Sequence, residues 1–123
     1  MSTILVVDDD DAFRDSIIDV LEDEGHEVTG TCDPFAALKR LMTHDFDLII
    51  TDMLMPDQDG AYLIKQLRQL NIRSKIIAMS GGGKLTAAES DVDWAGDLEA
   101  DGTLHKPFSA ETLRHMIAKL NLM

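Results

Sequence analysis

Five polar residues of this chain stand where they could work together. Asp8 and Asp9 follow the apolar run Ile4 to Val7, and Asp52 follows "LIIT" at 48 to 51. Ser80 closes "KIIAM", and Lys106, with Pro107 behind it, closes "GTLH". Carboxylates gathered beside buried strands repel one another unless a positive charge sits among them. Three of them offer oxygen ligands to a hard divalent cation that keeps several waters and takes a phosphate to complete its shell, which describes Mg²⁺. The Lys106 ammonium can pair with a phosphoryl oxygen as a point charge, and the Ser80 hydroxyl can hydrogen-bond another. Asp52, in the middle, can attack a phosphoryl donor and become an aspartyl phosphate. The chemistry of the set is phosphoryl transfer.

Positions so far apart in the chain need a scaffold that returns each of them to one edge. Ile4 to Val7 is a continuous apolar, β-branched run, as in a strand covered on both faces. The pattern predicts further strands over residues 26–31, 47–52, 75–80 and 102–106, the first of these polar enough for a sheet edge. Helical spacing carries Phe13, Ile17, Val20 and Leu21, with Gly25 as the C-terminal cap. Asp33-Pro34 starts a second helix with Leu38, Leu41 and Met42 as its buried stripe. A third places Leu63, Ile64, Leu67 and Leu70 on one side, a weaker one spans about Leu85 to Leu98, and a last one, capped by Ser109, buries Leu113, Met116, Ile117 and Leu120. Five strands alternating with five helices predict an α/β fold, a doubly wound parallel sheet between two helical layers. Working residues of such sheets sit at the carboxyl ends of the strands, which is where all five polar residues fall.

At 123 residues the chain is expected to be one domain, residues 1–123, with a core large enough to need no disulfide. Eleven Lys plus Arg against 23 Asp plus Glu give a net charge of −12. That charge argues against direct binding to nucleic acid or an anionic membrane, which select basic faces. One cysteine, Cys32, permits no internal disulfide, and it is read as an inert core or strand-end thiol. With no apolar run of signal or membrane-spanning length, the expected location is cytoplasmic.

The residues "VVDDD" at 6–10, "DLIITDMLMPDQDG" at 47–60, Ser80 after the fourth strand and "LHKPF" at 104–108 carry a resemblance. The chain resembles, over essentially its whole length, the response-regulator receiver domains of two-component signalling. The resemblance implies a flavodoxin-like sheet of strand order 2-1-3-4-5. It implies Asp52 as phosphoacceptor, Asp9 as a direct Mg²⁺ ligand, Asp8 acting on the metal mainly through water, and the Leu54 backbone carbonyl as a further ligand. Ser80 would be the switch hydroxyl and Lys106 the phosphate-pairing lysine, with a cis bond at Lys106-Pro107. The phosphoryl donor would be a histidine kinase or histidine phosphotransfer protein, and the output a changed protein-binding surface read by a downstream protein target. The domain would catalyse only its own phosphorylation and dephosphorylation. The family usually carries an aromatic residue three positions before the lysine; here Thr103 stands there, and a threonine cannot bury a ring.

Competing readings are specific. Asp10 and Asp11 are read as cap and turn residues of the first helix, and Asp57 and Asp59, beside Gly60, as turn formers and a helix cap. His26, His44, His105 and His115 show no metal-ligand spacing and are read as surface or partly packed. A phosphatase of the haloacid-dehalogenase kind uses the same residue types, but its nucleophile sits at the first strand in a pattern Asp-x-Asp-x-Thr/Val, and Phe13 stands at that last position here. A flavin or nucleotide module on the same sheet would meet phosphate repulsion from Asp8, Asp9 and Asp52 unless Mg²⁺ intervened. With only three residues after Leu120 a stand-alone receiver is expected, although a fragment of a transcription regulator or hybrid kinase would read the same way. The 81–101 segment holds six acidic residues, Gly81 to Gly83 and Trp94, and is expected to become ordered on phosphorylation or to be a variant connection with Trp94 packed on the core.

Overall fold

A computed structural model describes residues 1–53, 60–81, 100–120 and 122. The expected helix over Leu85 to Leu98, the Leu54 carbonyl, Asp57, Asp59, Gly82, Gly83 and Trp94 lie outside the described residues. Five strands are present: β1 (Thr3–Val7), β2 (Glu27–Thr31), β3 (Leu48–Asp52), β4 (Lys75–Gly81) and β5 (Gly102–Lys106). They form one parallel sheet of order β2-β1-β3-β4-β5. The described helices are α1 (Asp11–Asp23), α2 (Pro34–Leu41), α3 (Gly60–Gln69) and α4 (Ala110–Leu120). The sheet is the one expected, with the polar strand β2 at its edge.

Alternation along β1 explains why the sheet needs helices on both faces. Leu5 and Val7 point into one core cluster with Ile49, Ala78, Leu63 and Leu67, between the sheet and α2 and α3. Ile4 and Val6 point into the other with Ile50, Met79, Ile17 and Leu113, between the sheet and α1 and α4. Each fully buried Ile or Leu contributes roughly 1.5–3 kcal/mol on leaving water, so a strand apolar on both sides is stable only when both sides are covered.

Local chemistry sets the helix starts. Asp10 caps α1 by accepting from Phe13 N at 3.1 Å, and Asp33 caps α2 by accepting from Ala36 N at 2.8 Å. Ser109 Oγ accepts from Thr112 N at 3.0 Å and opens α4. After α1, Gly25 turns the chain at φ +89°. Two stripe residues are corrected: Met42 is the C-cap of α2 and exposed, and Leu70 lies one residue beyond α3 and is exposed. Helical spacing points inward only while the helix lasts. Cys32 is exposed just past β2, a strand-end thiol and not a core one.

Candidate functional site

The ends of two strands, β1 and β3, gather the acidic residues. The ladder continues past β1 through Asp8 N, which donates to Thr31 O at 3.1 Å, and past β3 through Met53 N, which donates to Met79 O at 2.9 Å. Backbone on both sides of the edge is thereby fixed where Asp8 and Asp52 project. Asp8 is 0% exposed and Asp52 5%, while Asp9 faces solvent. One carboxylate oxygen from each of Asp8, Asp9 and Asp52 lies within 4.8 Å of the others.

Lys106 closes the cluster from β5. Its Nζ donates to Asp8 Oδ2 at 2.7 Å and to Asp52 Oδ2 at 3.3 Å. Burial pushes the Lys106 pKa down, but the Asp8 hydrogen bond and the charges of Asp52 and Asp8 outweigh it and raise the pKa above the ordinary lysine value. The group therefore acts as a fixed positive charge and not as a base. Asp8 is engaged on both oxygens, since Oδ1 accepts from Asp10 N at 2.9 Å. The Lys106-Pro107 bond is cis.

Three further side chains complete the site, and sequence reasoning gave none of them a part in it. Phe13, read as a core residue, presents its ring 4.5 Å from Lys106 Nζ, a cation–π contact, and packs edge-on against Phe108 at 5.4 Å. Arg14 Nη1 donates to the Asp8 carbonyl at 2.8 Å while Nη2 pairs with Asp11 at 2.8 Å. His105 is exposed, as expected, yet its Nδ1 lies 2.9 Å from Ser80 Oγ. Ser80 is buried at the end of β4, beside the acidic edge. Asp10 takes the expected cap role, while Asp11 is the first residue of α1 and pairs with Arg14.

The donor set fits a hard divalent cation: all oxygen, converging, and anionic beyond what one lysine neutralises. Among the described residues no helix is long and apolar enough to cross a membrane.

Known proteins resemble this chain in both sequence and fold. It is 31% identical over 120 residues to the response regulator receiver protein CpdR of Brucella abortus, covering 98% of this chain and 97% of that protein. It is 34% identical over 118 residues to the DNA-binding transcriptional regulator NtrC of Azospirillum brasilense, covering 96% of this chain and 24% of that protein. The chain likewise spans 49% of the sensory transduction protein RegX3 of Mycobacterium tuberculosis, so several curated relatives are much longer. The chemotaxis response regulator CheY4 of Vibrio cholerae superposes with a TM-score of 0.86 at 28% identity, covering 98% of each chain. The response regulator TrrA of Thermotoga maritima, solved in complex with Mg²⁺ and BeF, gives 0.80 at 30% identity, covering 98% of this chain and 99% of that one. Residues 4–118 match the response regulator receiver domain, and the chain belongs to that family of two-component signalling domains.

Proposed function

We propose that this receiver accepts a phosphoryl group on Asp52 from a histidine kinase or histidine phosphotransfer protein and then presents an altered protein-binding surface. The observation that carries the reading is the bridge of Lys106 Nζ between Asp8 and Asp52, within an all-carboxylate cluster. An Asp52 carboxylate oxygen forms the new O–P bond as the P–N bond of the donor phosphohistidine breaks, and the electron pair returns to the donor's imidazole nitrogen. Lys106, held charged, pairs with a phosphoryl oxygen. Ser80 supplies a hydroxyl to another.

Mg²⁺ in the cluster would neutralise charge on the phosphoryl oxygens. Asp9, whose carboxylate is exposed, is the direct ligand in this reading, with Asp52 and the Leu54 carbonyl beside it. Asp8, with both oxygens already engaged, acts on the metal through water. The domain catalyses nothing beyond its own phosphorylation and dephosphorylation. An exposed free thiol at Cys32 suits a reducing compartment, so a cytoplasmic location belongs to the same reading.

Intact-mass spectrometry after incubation with a small-molecule phosphodonor tests it. One added phosphoryl group is expected in the wild type with Mg²⁺, and none without Mg²⁺ or in Asp52→Asn. An Asp52→Asn variant that gains the group equally, or a wild type that binds Mg²⁺ yet gains none, would overturn it.

A further inference from the structure

The Ser80 hydroxyl has a partner other than the acidic edge. Its Oγ lies 2.9 Å from Nδ1 of His105, and the two residues are direct partners across the parallel β4–β5 ladder. Alternation puts them on one face. Ile76 and Ala78 pack in the cluster under α2 and α3, so Ser80 shares their side of β4. Leu104 packs in the opposite cluster, which sends its neighbour His105 to the Ser80 side of β5. Ser80 is 6% exposed while the imidazole is exposed, so the ring joins a buried hydroxyl to the protein surface.

A serine hydroxyl holds one proton and rotates to suit its partner. In the unphosphorylated protein the Oγ–Nδ1 pair forms one hydrogen bond whose donor is set by the imidazole tautomer; with the ring proton on Nε2, the hydroxyl donates it to His105. A phosphoryl group on Asp52 offers anionic oxygens, and charge-assisted hydrogen bonds are roughly twice as strong as neutral ones. The phosphoryl group therefore wins the hydroxyl, but only by the difference between the two bonds.

We propose that His105 is a positioning residue that holds Ser80 in its resting rotamer, and that drawing the hydroxyl onto phosphorylated Asp52 releases the His105 ring to the β5 surface. The inference rests on Asp52 being the phosphoacceptor. The ring is then both the brake on the switch and its exposed signal. Its strength sets how much of the phosphoryl contact is spent on freeing Ser80.

Imidazole ¹⁵N spectra of wild type and Ser80→Ala, each titrated with Mg²⁺ and beryllofluoride, test this directly. Ser80→Ala alone is expected to shift the His105 Nδ1 resonance, because the bond is gone. Beryllofluoride should move the wild-type resonance the same way and leave that of Ser80→Ala where it was. His105→Ala should bind beryllofluoride roughly two- to tenfold more tightly, the worth of one released neutral hydrogen bond. His105→Asn, whose amide can stand where Nδ1 stands, should return the affinity towards wild type. A complex that forms with the His105 resonance unmoved, or weaker binding by His105→Ala, overturns the inference and leaves the phosphoacceptor reading intact. No complex in the wild type, together with no mass adduct at Asp52, overturns both.

Discussion

Asp8 is wholly buried, and the Lys106 ammonium 2.7 Å away is the cation that offsets its charge. Removing one partner of a buried pair leaves the other uncompensated, which costs far more than the pair itself is worth. Lys106→Met keeps an unbranched side chain of similar length but loses the ammonium over the Phe13 ring and strands two carboxylates, and is expected to lower unfolding free energy by about 3 kcal/mol in urea denaturation. The sign of the pH dependence follows from the raised Lys106 pKa. The wild-type advantage over Lys106→Met should be full below the unfolded lysine value of about 10.4 and shrink as pH rises through the higher folded value. An advantage unchanged to the alkaline limit would mean that Lys106 stabilises by packing alone. Asp8, Asp9, Asp52 and Lys106 were legible in the sequence because each lies at or just past the carboxyl end of a strand. Phe13 and Arg14 were not, because their reach depends on how α1 docks, and a helical stripe marks only which side faces inward.

Between α1 and β2 the chain reverses through Gly25, whose φ of +89° is a conformation that L residues avoid. An added Cβ would meet nothing within 4 Å, so Gly25→Ala isolates backbone strain from packing. Its expected cost is about 1–2 kcal/mol by urea denaturation, with Gly25→Asn losing less because asparagine tolerates this region better. A neutral Gly25→Ala would mean that the turn relaxes and does not fix the entry to β2. Gly25, Asp33-Pro34 and Ser109 were readable as punctuation because caps act locally, and the strands because burial on both faces leaves a continuous apolar run. Met42 and Leu70 misled because periodicity was extended to the final residue or beyond it, where the helix no longer aims side chains. The Ser80–His105 contact was hidden for a different reason: it depends on the register of β4 against β5, which neither strand encodes alone.

Charge is unevenly distributed over the described molecule. At the amino ends of β4 and β5, Arg68 and Lys75 both pair with Asp101, at 3.3 and 3.9 Å, and Arg73 lines the same hollow. At the carboxyl ends three carboxylate oxygens crowd within 4.8 Å, against the single ammonium that bridges two of those residues. A chain of net charge −12 repels itself generally, and any salt relieves that through screening. Screening acts over a Debye length of about 8 Å at physiological ionic strength and does little inside a partly buried cluster of this size. Only an ion that enters the cluster relieves the local repulsion. At matched ionic strength, Mg²⁺ at ten times its dissociation constant is expected to raise unfolding free energy by about 1.4 kcal/mol over NaCl. Asp9→Asn should remove most of that increment while leaving the NaCl response unchanged, and should make the metal-free protein no less stable, since it takes away one of the mutually repelling charges. Equal stabilisation by the two salts would mean that the acidic edge is relieved by ionic atmosphere alone, and the metal-binding part of the proposed chemistry would fall with it.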